Sequence, residues 1–151
     1  MSLSIGSELP DFQLLNQNNE LVDSQNPSWE NRPVVVFFYP KDNTPGCTAE
    51  VCEFRDEFEA FRNLDAVVIG ISSDTVQSHS EFAKKHRLPF DLLADTSKKV
   101  RNLFEVKANL FGLLAGRATY IFDKNKQLKH IFQSQLFATS HIKEALEGLK
   151  K

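Results

Sequence analysis

Cys47 and Cys52 are the residues of this chain with the most chemistry to offer. Cys47 follows Thr44-Pro45-Gly46, which reads as a helix start, with Thr44 suited to the N-cap and Pro45 to the first helical position. Backbone amides in a first turn have no intrahelical partner, and with the helix dipole they favour an anionic sulfur over a neutral one. The same amides can hold an oxygen-bearing substrate against that sulfur. The opposing reading is an inert thiol in the core, because Cys47 keeps register with Val51, Phe54 and Phe58. The local pattern leaves both open.

Cys52 lies five residues further on. In a helix that is a rotation of about 140° and a Cα separation of roughly 8.6 Å. A disulfide rarely spans more than about 7 Å, so an intact helix cannot join these sulfurs. Cys-x4-Cys is not a zinc spacing, no paired His or Cys completes a metal site, and no Cys-x-x-Cys is present. Two readings remain. Either Cys47 is oxidised first and the early turns unwind so that Cys52 attacks it, or Cys52 is a helix residue without a partner.

The flanking sequence supplies a frame for these cysteines. Residues 12–15 and 21–22 flank Asn18-Asn19 as a short hairpin. Residues 34–39 form a continuous β-branched and aromatic run, fitting a strand buried on both faces. The helix from Thr44 shows apolar residues at helical spacing as far as Asn63. A second buried strand spans 66–71, and Ser72-Ser73-Asp74 can cap a helix running to His86, which Leu88-Pro89 breaks. A short extended piece at 90–93 and a short helix at 97–104 precede strands at 119–122 and 128–132 and a last amphipathic helix. The order is β-α-β-α, an insertion around 90–117, then β-β-α. Parallel crossovers followed by an antiparallel hairpin give an α/β, thioredoxin-like fold: a mixed central sheet, helices on both faces, and an N-terminal hairpin extension. Ligands of such sheets gather beyond the carboxyl ends of strands, where Pro40 to Cys47 falls.

Composition narrows the class. The 151 residues suit a single domain, 1–151, and 41% hydrophobic with 25% charged residues excludes a disordered chain. A net charge of −2 argues against nucleic-acid partners, and no apolar run is long enough for a membrane span. The N-terminus lacks the basic and apolar regions of a signal peptide, so the expectation is a cytoplasmic protein with reduced thiols. His79 and His86 lie two turns apart, too far to share a metal, and read as structural or surface residues. Lys84-Lys85-His86-Arg87 and Lys98-Lys99-Val100-Arg101 read as solvated charge runs. Phe111, Leu113 and Leu114 form an apolar loop that packs over the site or meets a partner.

The stretch from Phe38 to Cys52, with Pro40-x3-Thr44-x2-Cys47 and Gly46-Cys47-Thr48-x-Glu50-x-Cys52, resembles the peroxiredoxins. Within them it is similar to the peroxiredoxin Q, or bacterioferritin comigratory protein, subfamily. Gly70-Ile71-Ser72-Ser73-Asp74, Ser78-His79, Leu88-Pro89-Phe90 and the run from Arg117 to Asp123 match too, so the likeness covers nearly the whole chain. Residues 106–116 depart from it. The resemblance implies a thiol-dependent peroxidase acting on hydrogen peroxide and organic hydroperoxides without a cofactor. Cys47 would be the peroxidatic nucleophile. Thr44 would offer its hydroxyl to the peroxide, Pro40 would shield the sulfur, and Gly46 and Arg117 would complete the substrate site. Cys52 would resolve the Cys47 sulfenic acid to an intramolecular disulfide, recycled by thioredoxin or a similar dithiol donor. Glu50 is given no chemical step. The subfamily is commonly monomeric, which implies a monomer. Two other readings stand beside this one: a one-cysteine peroxidase using an external thiol, and a redox-sensing or binding module on the same fold.

Overall fold

A computed structural model describes residues 3–106, 117–133 and 140–150. Phe111, Leu113 and Leu114, and all but the first residue of the divergent 106–116 segment, lie outside the described residues. Among the described residues, seven strands form one mixed sheet: β1 (Gln13–Asn16), β2 (Leu21–Asp23), β3 (Val34–Phe38), β4 (Val67–Ser72), β5 (Asp91–Ala94), β6 (Ala118–Phe122) and β7 (Leu128–Gln133). Their spatial order is β2-β1-β5-β4-β3-β6-β7, with β5, β4 and β3 parallel and the flanking pairs antiparallel. The expected thioredoxin-like topology is present, with one correction. The extended piece at the start of the presumed insertion is β5, which pairs with β4 and joins the N-terminal hairpin to the sheet.

Among the described residues, five α-helices cover this sheet: α1 (Pro45–Asp56), α2 (Phe58–Asn63), α3 (Val76–His86), α4 (Lys99–Leu103) and α5 (Ser140–Lys150). The cover is unequal. Val35, Phe37 and Tyr39 point to the face where α1, α2, α3 and α5 bury Val51, Phe54, Phe61, Phe82, Ile142 and Ala145. Val34, Val36 and Phe38 point to the other face, against Val100, Phe104, Trp29 and the N-terminal hairpin. Side chains alternate along a strand, so β3 feeds both cores and every one of its residues is buried.

Two local differences from the sequence reading have clear causes. The long helix expected from Thr44 to Asn63 breaks at Glu57, which leaves helical geometry at φ −96°, ψ 9°. The break separates two aromatic anchors. Phe54 stacks on Phe37 with ring centroids 4.3 Å apart, and Phe61 is turned onto Phe54 at 5.5 Å. Gly70 permits the first stack, since a Cβ there would lie 2.6 Å from the Phe37 ring. The cap of α3 is Thr75, whose hydroxyl accepts from the Ser78 amide; Ser72 and Asp74 are used elsewhere. Among the described residues, no helix is long and apolar enough to cross a membrane.

Candidate active site

The end of β3 and the start of α1 are joined by Tyr39 to Thr44, and buried polar groups hold this loop. Asp42 accepts hydrogen bonds from the Tyr39 hydroxyl (2.6 Å), the Ser78 hydroxyl (2.8 Å) and His79 Nδ1 (2.8 Å). The Asp42 amide donates to Asp74 Oδ2 at 2.9 Å, and the Ser72 hydroxyl donates to the same oxygen at 2.6 Å. Burial first, then the Asp42 carboxylate, raises the Tyr39 phenol well above its ordinary range, so Tyr39 stays a donor. Asn43 takes the left-handed conformation at φ 64°, a turn that Asn tolerates better than most residues. His79 is therefore structural, as expected. Asp42, Asp74 and His79 also form a cluster that could ligate a metal, but the groups already serve one another.

Thr44 is the N-cap and Pro45 the first helical residue, as the spacing predicts. The Thr44 hydroxyl does not cap the helix. It turns back to donate to the Lys41 carbonyl at 2.9 Å, and the first intrahelical bond runs from the Thr48 amide to the Thr44 carbonyl at 2.8 Å. The amides of Gly46 and Cys47 precede that bond. Cys47 is 1% exposed, and Pro40, two residues past the end of β3, is half-buried. Both cysteines are free thiols, with α1 wound continuously through them.

Arg117 comes from the opposite side. The antiparallel register pairs Phe38 with Ala118, which places Arg117 one step beyond the end of β3. Its Nη2 lies 3.4 Å from Cys47 Sγ, and its Nη1 donates to Glu50 Oε1 one turn along α1. A Cβ on residue 46 would stand 3.2 Å from that Nη2, so Gly46 leaves room for the guanidinium. Arg117 is not a surface residue at the strand start: it is 6% exposed. Burial works against its charge, but Glu50 and Cys47 more than offset this and the guanidinium stays charged.

Glu50 is fully buried. Burial dominates and Arg117 offsets it only in part, so the carboxyl is pushed up to about 8. Burial thus favours the protonated form of Glu50, and the Arg117 guanidinium beside it favours the ionised one. Glu50 Oε2 finds no hydrogen-bond partner among the described residues; His141 Nδ1 lies 3.9 Å from it. His141 Nδ1 also lies 2.7 Å from the Thr119 hydroxyl.

Two residues here escaped the sequence reading. His141 is buried on α5, and its one signal is that it shares the stripe of Ala145, four residues on. Arg101 was grouped with a solvated run but is 6% exposed. It donates to the Tyr39 carbonyl at 3.0 Å and lies 5.5 Å from the centroid of the Phe38 ring. Burial lowers its pKa, against Asp95, Tyr120 and Cys47, whose charges favour the guanidinium. The clue was its spacing of three from Phe104, which puts both on one helical face.

A buried sulfur facing a guanidinium at a helix N-terminus is the arrangement the peroxiredoxin resemblance predicted. Residues 5–131 match the AhpC/TSA family. The chain belongs to that family. Peroxiredoxin Q, chloroplastic, from Oryza sativa subsp. japonica is 47% identical over 148 residues, covering 98% of this chain and 67% of the relative. The crystal structure of peroxidoxin BcpB from Mycobacterium tuberculosis superposes with a TM-score of 0.88 at 33% identity, covering 98% of this chain and 97% of that one. A Xanthomonas campestris bacterioferritin comigratory protein, whose structures concern alkyl peroxide reduction, gives a TM-score of 0.82 at 26% identity, covering 92% and 90%. The chain is thus a peroxiredoxin of the Q type and a thiol-dependent peroxidase.

Proposed function

We propose that Cys47 is the peroxidatic nucleophile and that Arg117, Thr44, Gly46 and Pro40 build its substrate site. The observation that carries this is the buried Cys47 sulfur, 3.4 Å from the Arg117 guanidinium. An anionic sulfur attacks one peroxide oxygen. The S–O bond forms as the O–O bond breaks, and the departing oxygen leaves as water or an alcohol once protonated. Arg117 and the first-turn amides stabilise charge as it shifts from sulfur to oxygen. Thr44, its proton engaged by Lys41, offers lone pairs to the hydroxyl hydrogen of the peroxide. Pro40 screens the sulfur from water. Alkyl peroxides join hydrogen peroxide as substrates, in line with the Xanthomonas relative.

The product is a Cys47 sulfenic acid. Cys52 condenses with it after the early turns of α1 unwind, releasing water and forming an internal disulfide. Thioredoxin or a similar dithiol donor reduces that bond. The protein works as a monomer in a reducing compartment, the cytoplasm or, as the rice relative's name suggests, a chloroplast.

Mass spectrometry after one equivalent of peroxide tests the scheme. The wild type should lose two hydrogens, Cys52→Ser should gain one oxygen, and Cys47→Ser should consume no peroxide. A wild type that retains the oxygen would point to the one-cysteine reading instead. Coupled turnover with NADPH, thioredoxin reductase and thioredoxin tests the reductant.

A further inference from the structure

Cys52 has a neighbour whose chemistry suits it. The half-buried sulfur lies 3.6 Å from Nδ1 of His86, the last residue of α3. The imidazole packs edge-on against Phe82, with ring centroids 5.0 Å apart. The His86 carbonyl accepts from Arg55 Nη1 at 2.9 Å, and Arg55 pairs with Asp56 at 3.0 Å. Cys52 and Arg55, three residues apart on α1, thus both meet the end of α3. Burial, Lys85 on the same helix and Arg55 from α1 each push the imidazole below its ordinary value. The ring is neutral near pH 7 and carries a lone pair on one nitrogen.

Taking Cys52 as the resolving thiol, we propose that His86 is the catalytic base that removes its proton. The anchoring of α1 keeps the two side by side when they are needed. Val51 and Phe54 are fully buried, Phe54 stacks on Phe37, and Arg55 is tied to α3. In the first turn, by contrast, Pro45 is exposed, Gly46 and Thr48 are half-buried, and only Cys47 is buried. Unwinding therefore carries Cys47 toward a Cys52 that stays beside its base.

The step balances. His86 takes the thiol proton, and the Cys52 thiolate attacks the sulfenic sulfur of Cys47. The S–S bond forms as the S–O bond breaks, so Cys52 sulfur is oxidised and Cys47 sulfur reduced. Hydroxide leaves and receives the proton through solvent, giving water.

Rapid-mixing experiments on the full chain with one equivalent of hydrogen peroxide separate the two phases. His86→Asn keeps a polar atom near the Nδ1 position but cannot act as a base near neutrality. It should leave peroxide consumption within about twofold and slow disulfide formation about 100-fold, at the low end of what general bases contribute. The wild-type disulfide rate should rise with pH through the imidazole titration, and His86→Asn should lose that limb. Added imidazole should restore the rate of His86→Ala, which a packing role would not allow. Wild-type disulfide kinetics and pH profile in His86→Asn, or no rescue of a slowed His86→Ala, would overturn the proposal while Cys52 kept its role. A wild type that forms no internal disulfide would instead remove the reading of Cys52, and the proposal with it.

Discussion

At the scale of single residues, Arg117 holds one nitrogen toward Cys47 and another on Glu50. A planar fork can do both, whereas a lysine offers one point of charge. Arg117→Lys should therefore slow the reaction of Cys47 with peroxide about 10- to 100-fold, a loss of about 1.4–2.7 kcal/mol in transition-state stabilisation. Competition kinetics for hydrogen peroxide would measure it, and a rate within twofold of wild type would remove Arg117 from the mechanism. Gly46→Ala makes a subtler version of the same test. Its methyl would press on the guanidinium at 3.2 Å, displacing the charge while leaving its chemistry intact. A loss of about three- to tenfold is expected, with peroxide consumption as the readout. Little of this pairing could be read in the chain, because Arg117 and Glu50 are 67 residues apart and only the β3–β6 register joins them. Cys47 was legible because its signal is local: a cap, a proline and a first turn.

At the scale of elements, what was legible follows the range of each interaction. β3 announced itself because burial on both faces leaves a strand no polar position. The hairpins were visible in their turns, Asn18-Asn19 in one and Asp123-Lys124-Asn125-Lys126 in the other. The break at Glu57 and the pairing of β5 were not visible, since both answer to distant partners: Phe37 with Phe90 for the helices, β1 and β4 for the strand. Arg101 misled for the same reason, its partner being the Tyr39 carbonyl 62 residues away. The loop that leads into α1 is the element on which the site depends most. Asn43→Val would force a β-branched residue into the φ 64° turn, at a cost of about 1–3 kcal/mol. Urea titration should show that loss, and peroxide turnover should fall with it because Thr44 and Cys47 follow directly. Asn43→Gly should retain both stability and turnover, separating backbone geometry from the side chain.

At the scale of the whole molecule, one buried carboxyl couples folding to pH. Burial raises Glu50 from 4.5 to about 8, so the folded chain binds this proton more tightly than the unfolded chain does. The stability it contributes is complete below pH 4.5 and is lost as pH rises through 8. Above that range the fold must hold an ionised carboxylate buried away from solvent, a burden that Arg117 relieves only in part. Glu50→Gln removes the titration and keeps an oxygen for Arg117. Urea unfolding at pH 5, 7 and 9 should show the wild type losing stability relative to Glu50→Gln, by on the order of 4 kcal/mol across the series. Curves that run parallel at all three values would mean that Glu50 is already ionised at pH 5 and that Arg117 divides its charge between Glu50 and Cys47. The variant also reaches function. A neutral residue at position 50 leaves the guanidinium to the sulfur at every pH, so Glu50→Gln should hold its peroxide reactivity above pH 8, where the wild type should begin to lose it.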